Sequence, residues 1–103
     1  MKLKTGVKLK DLSPQMVLGA NIIDRVYMEH SHNPTVTSCN DGKHSETSLH
    51  YSGNALDWRT KDFYGDKQAL VYAIKDALGS NFDVVLEALG TDNEHIHTEY
   101  QPK

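Results

Sequence analysis

A chain of 103 residues has room for one domain with a real core, and it is read as a single domain over 1–103. A net charge of −3, with no basic stripe able to neutralise a run of phosphates, argues against a nucleic-acid partner. The lone Cys39 excludes an internal disulfide framework and a cysteine-rich zinc finger. Neither a signal peptide nor a run of about 20 apolar residues is visible, so the expectation is a chain made in the cytoplasm with no membrane span.

In chain order, Lys2, Lys4, Lys8 and Lys10 alternate with Leu3, Val7 and Leu9, a strand-like edge with one solvated face. Ser13 followed by Pro14 reads as an N-cap and first helical position, and Met16, Ala20, Ile23 and Tyr27 recur at helical spacing; a helix is expected over about 14–30. His30 and His32 fall at its end, where Pro34 bars helical geometry in the residue before it. Residues 35–39 are rich in β-branched side chains and read as a strand, with Cys39 as a small core residue. Residues 40–48 carry almost no apolar content and read as a loop.

Residues 54–59 form a second strand, with Ala55 and Asp57 on one face and Leu56 and Trp58 on the other, which makes Trp58 a core residue. Asp66 caps a second helix whose pairs Ala69/Leu70, Ala73/Ile74 and Ala77/Leu78 make an apolar stripe closed by Gly79. Strands follow over 82–86 and 95–100, separated by the turn Gly90-Thr91-Asp92-Asn93. The implied architecture is α+β: two helices packed on a small, mainly antiparallel sheet.

Two short blocks carry metal-ligand chemistry. The first is Ser48-Leu49-His50-Tyr51-Ser52-Gly53-Asn54-Ala55-Leu56-Asp57, and the second is Glu94-His95-Ile96-His97. Two histidines and an aspartate would fill three positions of a zinc ion and leave one for water, a mixed nitrogen and oxygen set typical of hydrolytic rather than closed structural sites. His95 and His97 point to one face of a strand while Ile96 points into the core. Glu94 directly follows a turn, where strict alternation does not bind, so its carboxylate is expected to reach the metal-bound water. Gly53 lets the backbone turn sharply between His50 and Asp57.

The pattern Ser48-x-His50-x-x-Gly53-x-Ala55-x-Asp57, with Glu94-x-x-His97 inside a His-x-His pair, resembles the zinc D,D-carboxypeptidase and L-alanyl-D-glutamate endopeptidase family. That family includes phage endolysins and shares its fold with the amino-terminal domain of hedgehog proteins. The resemblance spans about residues 34–100 and implies a hedgehog/DD-peptidase-like fold. It implies one zinc ion on His50, Asp57 and His97, Glu94 as general base and His95 as a polarising group in the pocket. The implied activity is hydrolysis of a peptide bond in the stem peptide of bacterial peptidoglycan. A monomeric phage or prophage lytic enzyme, reaching the wall in the periplasm through a holin or from the virion, suits this reading.

The family's substrate-gripping arginine is missing from residues 39–44, where Lys43 or His44 would stand in, with Ser48 beside them as a further substrate contact. A lysine cannot copy a bidentate guanidinium grip, so which bond is cut stays open. A non-catalytic zinc-binding recognition module on the same fold is the alternative function, and a purely structural zinc site is a third.

Overall fold

A computed structural model describes residues 1–39 and 53–103. Its elements run β1 (Lys2–Leu3), α1 (Pro14–Glu29), β2 (Thr35–Ser38), β3 (Ala55–Arg59), α2 (Lys67–Leu78), β4 (Phe82–Glu87) and β5 (His95–Tyr100). The helix signals act as expected. The Ser13 hydroxyl accepts from the Met16 N–H at 3.1 Å, with Pro14 opening the first turn. The Asp66 carboxylate accepts from the Ala69 N–H at 3.1 Å, and Gly79, at φ +86°, ends α2.

The strands form one five-stranded sheet in the order β1-β2-β3-β5-β4. The sheet is mixed, which corrects the expectation of a mainly antiparallel one. β1 pairs parallel to β2, Lys2 against Thr35 and Leu3 against Val36, because the chain passes through α1 between them and returns in the same direction. The alternating lysine segment is strand only at Lys2–Leu3. A turn follows, with the Val7 N–H donating to the Lys4 carbonyl and Gly6 at φ +91°, so Lys8 and Lys10 lie outside the sheet.

The two faces of the sheet differ in kind. Val36, Leu56, Trp58, Val84 and Ile96 face the helices and join Met16, Ile23 and Tyr27 of α1 and Leu70 and Ile74 of α2 in one core. Trp58 is fully buried, as expected, and its indole N–H is satisfied by the Thr98 hydroxyl at 3.1 Å, which in turn donates to the Leu56 carbonyl at 2.9 Å. Cys39 is buried in the same core, as expected. Alternation places Asp57 and Arg59 of β3 and His95, His97 and Glu99 of β5 on the opposite face.

Gly53 connects this sheet to the segment before α1. It sits at φ +78°, and a Cβ there would lie 2.0 Å from the Asp11 carbonyl oxygen, while its own carbonyl accepts from the Ser13 N–H at 3.0 Å. Close backbone approach as well as the turn therefore demands glycine. Among the described residues, no helix is long and apolar enough to cross a membrane.

Candidate metal centre

Register, rather than proximity in sequence, builds the site. β3 and β5 run antiparallel with Asp57 directly opposite His97 and Arg59 opposite His95, so the Asp57 carboxylate and the His97 ring emerge side by side on the open face. His97 Nδ1 lies 2.8 Å from Asp57 Oδ1, and its Nε2 lies 2.6 Å from Glu99 Oε1. The imidazole is thus gripped by carboxylates on both sides. Its pKa rises to about 9, chiefly through the Asp57 hydrogen bond and further through Glu99, against the opposing effect of desolvation.

This arrangement fits a metal ion. With one nitrogen facing Asp57 and the other held by Glu99, the ring is locked by a carboxylate behind it, the way metal-bound histidines are oriented. An aspartate oxygen and a histidine nitrogen side by side are donor types that would hold a zinc ion. Glu99 was not singled out from the sequence, although its position two residues beyond His97 puts it on the same strand face.

His50, the expected third ligand, lies outside the described residues, as do Lys43, His44 and Ser48. Among the described residues alone, no group of three or more His, Cys, Asp or Glu side chains makes a complete metal set. The structure therefore brings two of the three expected ligands together.

His95 shares the open face. Its Nδ1 lies 2.7 Å from the Asn93 carbonyl, and its Nε2 lies 3.0 Å from Glu87 Oε1 and 3.9 Å from Asp57 Oδ2. Carbonyl and carboxylate oxygens only accept, so the ring donates to Asn93 through Nδ1 and to Glu87 through Nε2. Glu87 reaches it because β4 pairs Glu87 with His95, a partnership that only the register of β4 and β5 reveals.

Glu94 is not brought to this face. Although β5 begins at His95, Glu94 keeps the alternation of Ile96 and Thr98 and turns towards the helices, where it is 4% exposed. Its Oε1 accepts from the Thr60 hydroxyl at 2.7 Å and from the Lys67 ammonium of α2, and its Oε2 accepts from the Gly90 N–H at 2.9 Å. The Gly90 hydrogen bond first, then Lys67 and Thr60, hold its carboxyl down at about 2. So weak a base, committed to an ion pair on the helix side, is a poor acceptor for a proton from water at neutral pH. The position instead ties the 90–93 turn and α2 to the start of β5, and Thr60 and Lys67 carry no sequence signal that would have announced this.

The open face continues past His97 into a cavity of about 790 Å³ along β4, lined by Val85, Glu87, His97, Glu99 and Asp83 among others. On the other side, Arg59 borders two further cavities. Compared with protein-family models, curated proteins and solved structures, the chain matches none.

Proposed function

We propose that the domain is a zinc-dependent peptidase that hydrolyses a peptide bond of bacterial peptidoglycan, of the D,D-carboxypeptidase or L-Ala-D-Glu endopeptidase type, serving as a phage or prophage cell-wall lytic enzyme. The observation that carries this reading is the direct pairing of Asp57 with His97 on an open sheet face beside a large cavity. The hedgehog/DD-peptidase-like fold implied by the sequence resemblance belongs to the same proposal.

In this reading Asp57 and His97, with His50, hold one zinc ion, and Glu99 fixes the His97 ring. When bound, the ion acidifies a water molecule and polarises the scissile carbonyl. Glu87, whose carboxylate accepts from His95 Nε2 and stands half exposed on the same face, receives the water's proton, with His95 as the polarising group beside it. Glu87 then returns that proton to the departing amine. The general-base assignment of Glu94 gives way here to the Glu87–His95 pair, because the Glu94 carboxylate is engaged by Lys67.

The test is zinc-loaded protein incubated with defined muropeptides and read by mass spectrometry, where the product mass also identifies the bond. Hydrolysis abolished by Asp57→Ala, reduced by His95→Gln and retained by Glu94→Gln is the expected pattern. No product from any muropeptide would sink the enzyme reading. The withdrawal of Glu94 from the open face favours one second reading, a non-catalytic zinc-binding recognition module. Zinc binding with capture of a partner protein and no hydrolysis would establish it.

A further inference from the structure

We propose that Arg59 centres an anion subsite that holds a carboxylate of the peptide substrate next to the metal centre; this rests on the peptidase reading and deepens it. Arg59 is two residues beyond Asp57 on β3 and directly opposite His95 on β5. Its Cα is therefore about 7 Å from that of Asp57, along the same open face. The backbone there is fixed from both sides, by the β5 pairing and by the Tyr27 hydroxyl, which donates to the Arg59 carbonyl at 3.1 Å.

Among the described residues, the Arg59 guanidinium makes no ion pair and no hydrogen bond, although Asp57 and Glu87 serve other groups on the same face. It lines a small cavity of about 80 Å³ together with Lys4, Lys61 and Thr37. Of the carboxylates in that lining, Glu94 is already neutralised by Lys67, which leaves Asp92 against three cations. A wider cavity of about 370 Å³ shares Lys4 and Arg59 and adds Lys2 and Thr35. Two strand ends thus bring their cations to adjoining recesses: Lys2 on β1 with Lys4 just beyond it, and Arg59 on β3 with Lys61 just after it.

The ligand chemistry follows from this. A guanidinium presents a planar fork that matches a carboxylate through two parallel hydrogen bonds, and flanking ammonium groups raise the local potential for an anion. The narrow cavity is of a size for one carboxylate group and too small for a side chain of any bulk. Peptides offer such a group at the C-terminus, and a chain anchored there reaches the Asp57 and His97 row within about two residues.

The experiment compares acetyl-D-alanyl-D-alanine with its C-terminal amide, titrated into the zinc-loaded protein and followed by calorimetry and by amide NMR shifts around Arg59. The carboxylate form is expected to bind at least tenfold more tightly, with the preference shrinking as salt rises. Arg59→Gln should erase that preference, and Arg59→Lys should restore part of it, while zinc content and melting temperature stay at wild-type values. Equal binding of the two peptides, or a preference that survives Arg59→Gln, would overturn the subsite. Inorganic phosphate displacing the peptide at equal concentration would overturn its assignment to a substrate carboxylate. If the Arg59-dependent preference holds but neither peptide is cleaved, the subsite stands and the peptidase reading fails. If cleavage is found with equal rates for both peptides and for Arg59→Gln, the reverse is true.

Discussion

The carboxylate grip on His97 predicts that the metal-free domain loses stability as the solution becomes alkaline. In the unfolded chain the imidazole titrates near 6.5, whereas between Asp57 and Glu99 it holds its proton to about 9. Because the folded value is the higher one, the stabilisation is fully present below pH 6.5 and drains away as pH rises through 9. At full strength the interval corresponds to about 3 kcal/mol. The His97 side chain is 19% exposed and Glu99 is 20% exposed, so solvent screening reduces the expected loss to about 1–2 kcal/mol. For a domain of this size, that is a fall of roughly 5–10 °C in melting temperature between pH 6 and pH 9.5. The assay is urea and thermal unfolding in the presence of a chelator, with Asp57→Asn as the control that removes the largest cause and should flatten the curve. Zinc requires the deprotonated ring, so in zinc-loaded protein this alkaline loss should disappear: stability should rise as pH passes through the unfolded value near 6.5 and stay level above it. A flat or rising curve for the metal-free protein would refute the argument, since it would mean that the Asp57–His97 pairing is absent in solution.

Four further substitutions have outcomes set by their local surroundings. Glu99→Gln should weaken zinc affinity by about 10–100-fold in a chelator competition, because the ring loses the carboxylate that orients it. Glu94→Gln should cost about 2–3 kcal/mol in urea unfolding while leaving zinc affinity unchanged, since Lys67 and Thr60 lose their anion at a site apart from the metal face. The wild-type Glu94 contribution is present above pH 4.5 and is lost as pH falls towards about 2, so the variant should show a shallower acid transition. Gly53→Ala should be severe, about 3 kcal/mol or more, because a left-handed backbone and a Cβ 2.0 Å from the Asp11 oxygen add together. Gly6→Ala, at φ +91° with nothing within 4 Å, should cost only about 1–2 kcal/mol by thermal melting.

Much of this fold is legible in the sequence because local signals and periodicity agree. Ser13-Pro14 and Asp66 mark where the helices begin, Gly79 marks where one stops, and the alternation of His95, Ile96 and His97 separates the chemical face from the core. What the sequence does not carry is pairing. The parallel partnership of Lys2–Leu3 with β2 depends on a path through α1, and an alternating lysine segment cannot announce that only its first residues join a sheet. Likewise the meeting of Asp57 with His97, of Glu87 with His95 and of Arg59 with His95 depends on registers set across gaps of 8 to 40 residues.

Glu94 shows how a motif and a periodicity can compete at one position. As the start of Glu94-x-x-His97 it belongs with the metal chemistry, whereas as the residue before His95 it belongs by alternation with Ile96 and the core. The structure follows the alternation, because on the helix side Thr60, Lys67 and the Gly90 N–H satisfy both oxygens of the buried carboxylate. A carboxylate so completely satisfied has little to gain from turning towards the opposite face, where Asp57, Glu87 and Glu99 already concentrate negative charge around the two histidines. The same crowding of carboxylates favours a cation beside Asp57 and His97, and it gives His95 a carboxylate, Glu87, to accept from its Nε2.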